Sequence, residues 1–177
     1  MNKHTCFFPT AQRGSVLIVS LLILIVMSLI GLTAARTSTM EERMAGNSRD
    51  RGLAFEASET ALRDAEAYLN TIVAITDFDG SGGLYGEDDT EPDYTAAGTW
   101  SSTGSVEYSG TIDGVNSKPR YIIKHVGTVT GDSDNLTVSG YGAYRSGDVD
   151  TFRVTARGTG ATDTATVLLQ SHFGRQF

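Results

Sequence analysis

The chain is poor in the residues that staple or break a fold. Its 177 residues include one cysteine, Cys6, and three prolines. A lone thiol closes no intrachain disulfide, so an exported domain of this chain would rest on packing alone. No proline falls between Pro9 and Pro92, so no pyrrolidine ring interrupts a helix across that stretch. The three histidines, His4, His125 and His172, lie far apart and lack metal-ligand spacing. The glycines around Thr159 and Gly160 do not follow a phosphate-binding loop. With no such constellation, the chain is expected not to be an enzyme. Positive charge is scarce as well. There are 14 Lys and Arg against 21 Asp and Glu, a net charge of −7. That disfavours a nucleic-acid binder, which needs a basic patch to meet phosphates.

What the chain does have is one long uncharged block. From Ser15 to Ala35 no residue is charged, and Lys3 and Arg13 precede the block. As a helix it would rise about 1.5 Å per residue and cross roughly 30 Å, one hydrocarbon core. A removable signal peptide has a shorter apolar region, though Thr33-Ala34-Ala35 mimics a small-x-small cleavage site. Residues 15–36 therefore read as a membrane span. Residues 1–14 read as a basic leader that stays in the cytoplasm while the remainder is exported.

The helical signal continues past the span. Ala54/Phe55, Ala61/Leu62 and Tyr68/Leu69 recur every seven residues, and Ser58, Ala65 and Ile72 fill the same stripe. Residues 37–75 read as an amphipathic continuation, with Gly31, Gly46 and Gly52 as its weak points. From Asp77 to Trp100 the composition turns to Gly, Asp and Thr and reads as a long irregular loop. Strand-like runs follow at 121–126, 136–144, 152–157 and 165–172, joined by short Gly-bearing connections. Short connections imply an antiparallel meander, and alternation implies one covered and one wet face. The covered face would meet the helix stripe. The expected fold is α+β, a long N-terminal helix packed on an antiparallel β-sheet, with 76–177 and 54–75 forming one globular domain. His125 and His172 are expected on the strand surface, and Tyr94 and Trp100 in the core.

One stretch has metal-ligand spacing. Counted from Asp77, the run places Asp77, Asp79 and Ser81 at positions 1, 3 and 5 of an EF-hand-type loop and Asp88 at position 12. Alternate oxygen donors and a turn glycine suit Ca²⁺. A plain solvated turn remains the alternative, because position 7 is Gly83 and offers only its carbonyl.

A basic leader ending in Gly14, an apolar helix starting at Ser15 and a β domain behind it resemble the type IV pilins. The resemblance implies cleavage after Gly14 by a prepilin peptidase and N-methylation of Ser15. It also implies a helix that anchors in the membrane before assembly and packs in the filament core afterwards. A narrower resemblance, to the PilX family of minor pilins, rests on four stretches. They are TSTMEERMAGN at 37–47, NSRDRGLAFEASETA at 47–61, FDGSGGLY at 78–85 and FRVTARGTGATDTATVLLQ at 152–170. That family implies priming of pilus assembly and a position at or near the tip. The implied partners are the major pilin, other minor pilins and a PilY-type tip adhesin. The implied route runs from the inner membrane of a Gram-negative bacterium, with the C-terminal domain in the periplasm, to the extracellular pilus tip. One departure stands out. Pilins usually carry Glu five residues after the cut, and this chain has Val19 there. The rival readings are a type II secretion pseudopilin and a membrane-anchored calcium-binding or adhesive module.

Overall fold

A computed structural model describes residues 14–129 and 148–177. One helix, α1, runs from Ser15 to Thr71, and the chain divides into two compact units, Met1–Gly46 and Asn47–Phe177.

In the first unit α1 is apolar all round. A window with mean hydropathy 2.9 has none of its surface buried. Its length and composition suit a membrane span. The polar residues in it hide their hydroxyls on the helix itself. Ser20 donates to the Leu17 carbonyl, Ser28 to Leu24 and Thr33 to Leu29 and Ile30, at 2.7–3.0 Å. Thr37 and Thr39 do the same one and two turns further on. Water-free surroundings demand this, because a hydroxyl with no partner there costs several kcal/mol.

In the second unit α1 packs a sheet of five strands: β1 Leu84–Tyr85, β2 Val106–Glu107, β3 Arg120–Val129, β4 Val149–Thr159 and β5 Thr166–Arg175. The spatial order is β1-β3-β4-β5, and β2 shares the outer edge of β3 with β1. The three long strands are antiparallel neighbours, but β1 runs parallel to β3. The sheet is therefore mixed rather than purely antiparallel. The strand expected at 136–144 lies outside the described residues.

The helix face against the sheet is built from small residues. Ala54, Ala57, Ser58, Ala61 and Ala65 are fully buried, and only the later turns widen to Leu69 and Ile72. Phe55, expected in this stripe, is exposed, and Ala57 takes part instead. Small side chains let the two backbones approach, and β4 answers with glycine. A Cβ at Gly158 would stand 2.5 Å from the Ser58 nitrogen and 2.6 Å from Ser58 Oγ. Beyond that contact the core fills with Ile123, Phe152, Val154 and Tyr121. Four polar ties run down the same seam in register. Asp50 accepts from the Thr162 N–H and hydroxyl, and Ser58 Oγ donates to the Val167 carbonyl at 3.0 Å. Ser171 Oγ donates to Glu66 at 3.5 Å, and Arg175 donates to the Leu69 carbonyl.

Over β3 and the middle of β4 the second face of the sheet is covered, where alternation alone suggests a wet one. Ile122 is fully buried and Thr155 nearly so, because the segment between β1 and β3 folds over them. That segment carries a short 3-10 turn at Ala97–Trp100, and another, Ile75–Asp77, precedes β1, where an irregular loop is expected from composition. Trp100 is its buried anchor, with its indole N–H on the Tyr94 carbonyl at 2.9 Å. Tyr94 lies half-buried beside it, and burial pushes its phenol up to about 12, helped by the nearby Glu91 carboxylate.

Gly158→Ala should destabilise the second unit by about 1–3 kcal/mol, because the helix backbone must retreat from the new methyl. Gly98→Ala, where a Cβ meets nothing within 4 Å, should be near neutral. Trp100 is the only tryptophan, so its fluorescence during denaturant unfolding in detergent reads both. Equal midpoints for the two variants would refute the close approach.

Candidate functional site

The processing junction is simple in form. Gly14 lies in a bend directly before Ser15, the first residue of α1. Among the described residues nothing lies within 4 Å of where its Cβ would be. Val19 is exposed on the apolar surface, and the first turn of α1 carries no acid.

The acidic loop is organised, but not around the four residues with calcium-type spacing. Asp77 closes the first 3-10 turn. Asp79 folds onto its own turn, where Oδ1 accepts from the Ser81 N–H at 3.0 Å and the Ser81 hydroxyl at 2.6 Å. Asp88 is exposed. The carbonyl of Gly83, the position-7 ligand, accepts the Ile123 N–H at 2.8 Å and so belongs to the sheet. Gly83 itself adopts φ +92°, and a Cβ there would strike Ser105 Cα at 2.8 Å, which is why glycine is required. Among the described residues no three His, Cys, Asp or Glu side chains form a metal-holding group.

A side-chain cation holds the loop. Lys124, 8 % exposed in the middle of β3, donates to the carbonyls of Gly86 at 3.0 Å, Glu87 at 3.2 Å and Asp89 at 2.5 Å. Its three N–H groups are thus satisfied by three backbone oxygens. Asp89 turns its carboxylate back to the Gly86 N–H at 2.7 Å. Arg120 fastens the next part of the loop through Ser105 Oγ at 2.7 Å, the Ser105 carbonyl at 2.8 Å and Glu107 at 2.6 Å.

His125 is a correction to the surface position expected for it. It is buried on the helix side of β3, stacked near Phe152 with ring centroids 5.2 Å apart, and its Nε2 meets Asp150 Oδ1 at 2.9 Å. It forms the floor of an open cleft of about 340 Å³ lined by Phe78, Asp79, Glu87, Asp88 and Asp89. His172 is exposed on β5, as expected.

Together these features give an apolar helix that is unburied among the described residues and a packed, disulfide-free head. No nucleophile, base and oriented acceptor come together among the described residues. The PilX N-terminal family model matches residues 13–63, and the type IV pilus assembly protein PilX C-terminal model matches residues 56–175. The chain belongs to the PilX family of type IV pilus minor pilins. No curated protein and no solved structure matches it. PilX-type pilins are structural components that associate with other parts of the pilus. For this one, an apolar N-terminal helix suits an inner-membrane anchor.

The family strings acquire physical reasons in the fold. In R-G-T-G, Gly158 meets Ser58 and Gly160 meets Asp50, both by backbone approach. Sequence reading missed Lys124 and Arg120. The signal was present: a lysine inside Tyr121-Ile122-Ile123-Lys124-His125-Val126 must find acceptors if that strand is covered on both faces.

Lys124→Met keeps the stem and removes three donors from partly buried carbonyls. It should cost about 2–4 kcal/mol in the Trp100 unfolding curve. With the loop fastened this way, millimolar calcium and excess chelator should give superimposable curves. A calcium-dependent rise of several degrees, lost in Asp79→Ala, would restore the metal reading.

The pH dependence follows from four carboxylates. Hydroxyl donors, chiefly Thr162, Ser81, Thr95 and Ser117, hold Asp50, Asp79, Asp93 and Asp163 respectively below the ordinary value of 3.8. A depressed folded-state pKa stabilises fully above the unfolded value and less as pH falls through the folded one. Stability should therefore be flat above about pH 5 and fall below about pH 4. Thr162→Val should flatten the acid limb, and an unchanged limb would count against these turns.

Proposed function

We propose that this PilX-type pilin is cut after Gly14, methylated on Ser15, and helps to start type IV pilus assembly from a position at or near the tip. The observation that carries the reading is the apolar first stretch of α1 with Val19 in place of a carboxylate. In pilins that join a growing filament, the Glu at this position is thought to meet the amine of the subunit ahead. Placing a charged side chain at mid-bilayer costs about 2.5–3.5 kcal/mol unless something answers it. A first subunit has none ahead, so Val19 saves that cost while its own amine stays available to the next subunit. The head, Asn47–Phe177, then meets other minor pilins and a PilY-type adhesin, and the major pilin follows below. The chain would sit in the inner membrane of a Gram-negative bacterium with its head in the periplasm, then pass to the extracellular tip.

Deleting the protein should reduce the number of pili per cell far more than their length, and gold-labelled protein should mark filament ends. Label spread uniformly along shafts would overturn the tip reading. Gly14→Leu should leave the leader attached and abolish that end label. Normally labelled pili carrying the uncut variant would refute processing at Gly14.

A further inference from the structure

The sheet has one long open edge. The outer side of β3 is closed by two strands of two residues each, but among the described residues nothing pairs with the outer side of β5. The hydrogen bond from the Gly160 N–H to the Ala165 carbonyl, 3.0 Å, sets the phase of the β4–β5 ladder. In that phase Val167, Leu169, Ser171, Phe173 and Arg175 exchange bonds with β4. Thr166, Leu168, Gln170, His172 and Gly174 therefore turn both N–H and C=O outward. All five are exposed, and the register from Thr159↔Thr166 to Asp150↔Arg175 has no bulge. Strand edges are ordinarily blunted by lysine, proline, a bulge or brevity. β5 has none of these.

A cleft opens beside this edge. It holds about 390 Å³ and is lined by Tyr94, Ala97, Trp100, Arg157, Thr166 and Leu168. Its walls are apolar and aromatic, and its polar feature is the Arg157 guanidinium. Arg157 makes no hydrogen bond or ion pair among the described residues. The neighbouring cations are engaged, Arg120 with Glu107 and Arg153 with Glu91. On this face β4 and β5 place Arg153, paired with Glu91, opposite His172 and Arg157 opposite Leu168, and neither strand adds a carboxylate to it. Arg157 is thus the unanswered cation of the strip.

We propose that β5 receives an extended segment of a different polypeptide as an added strand, and that Arg157 binds a carboxylate on that segment next to an apolar side chain seated in the cleft. Backbone pairing along β5 supplies affinity, and the cleft with its free guanidinium supplies selectivity. A second copy of this chain is disfavoured, because its β5, Thr166–Arg175, carries no carboxylate to answer Arg157. The inference stands on the head alone and does not depend on the priming role.

The test uses the full chain in its piliated host, with the photo-crosslinker benzoylphenylalanine at Thr166 and the attached peptide mapped by mass spectrometry. The expected product is an extended Asp- or Glu-bearing segment of another protein. Arg157→Glu should lower the yield about tenfold or more, and reversing the mapped carboxylate to Lys should restore it. His172→Pro removes an outward N–H without touching the β4 ladder and should also abolish the product, while the Trp100 unfolding curve stays unchanged. If Arg157→Glu does not fold, His172→Pro decides alone. No product, a product with a second copy's β5, a helical segment, or a yield indifferent to the decisive variant would overturn the proposal.

Discussion

The head depends on how near α1 can come to β4. Hydrophobic burial by itself would be served as well by leucines at greater separation. The alanine and serine face opposite Gly158 instead brings backbone within reach of backbone. Only at that distance does Ser58 reach a carbonyl of β5 and Asp50 the turn that follows β4. The larger apolar residues, Leu69, Ile72 and Phe152, then fill the wedge that opens toward the other end. A domain without disulfides gains definition from this geometry, since small interlocking surfaces admit few alternative packings.

The second layer follows from the first. Once β3 and β4 are pinned to the helix, Ile122, Lys124 and Thr155 point away from it and need their own cover. The segment from Gly86 to Pro119 provides that cover. It is held from below by strand side chains rather than by its own regular structure. Lys124 and Arg120 each bind several of its oxygens, so the loop is ordered by the sheet it protects. A buried ammonium satisfied by carbonyls is a monovalent version of what a bound ion does in other acidic loops.

Much of this was legible in the sequence, and the failures share a cause. The uncharged block and its seven-residue continuation, read as residues 15–36 and 37–75, run together as α1, Ser15–Thr71. The runs at 121–126, 152–157 and 165–172 lie within β3, β4 and β5. Periodicity could do this because it is local. It could not distinguish Phe55 from Ala57, because the helix face is chosen by what β4 tolerates, and Gly158 is a hundred residues distant. It could not see that β3 is covered twice, so Lys124 went unnoticed, and it did not fix which face of β3 meets the helix, so His125 read as surface. The EF-like spacing also says nothing of long-range pairing, and the carbonyl of Gly83 at its seventh position accepts from β3.

The four ties between α1 and the segment at and before β5 have a mechanical consequence. They join residue 50 to 162, 58 to 167, 66 to 171 and 69 to 175, so both chains advance in the same direction along the seam. Over roughly 28 Å of helix, a pull along the axis loads all four in shear at once instead of peeling them one by one. Bonds sharing a load resist far more force than the same bonds broken in sequence. The head is therefore built to stay on its helix when the helix is pulled.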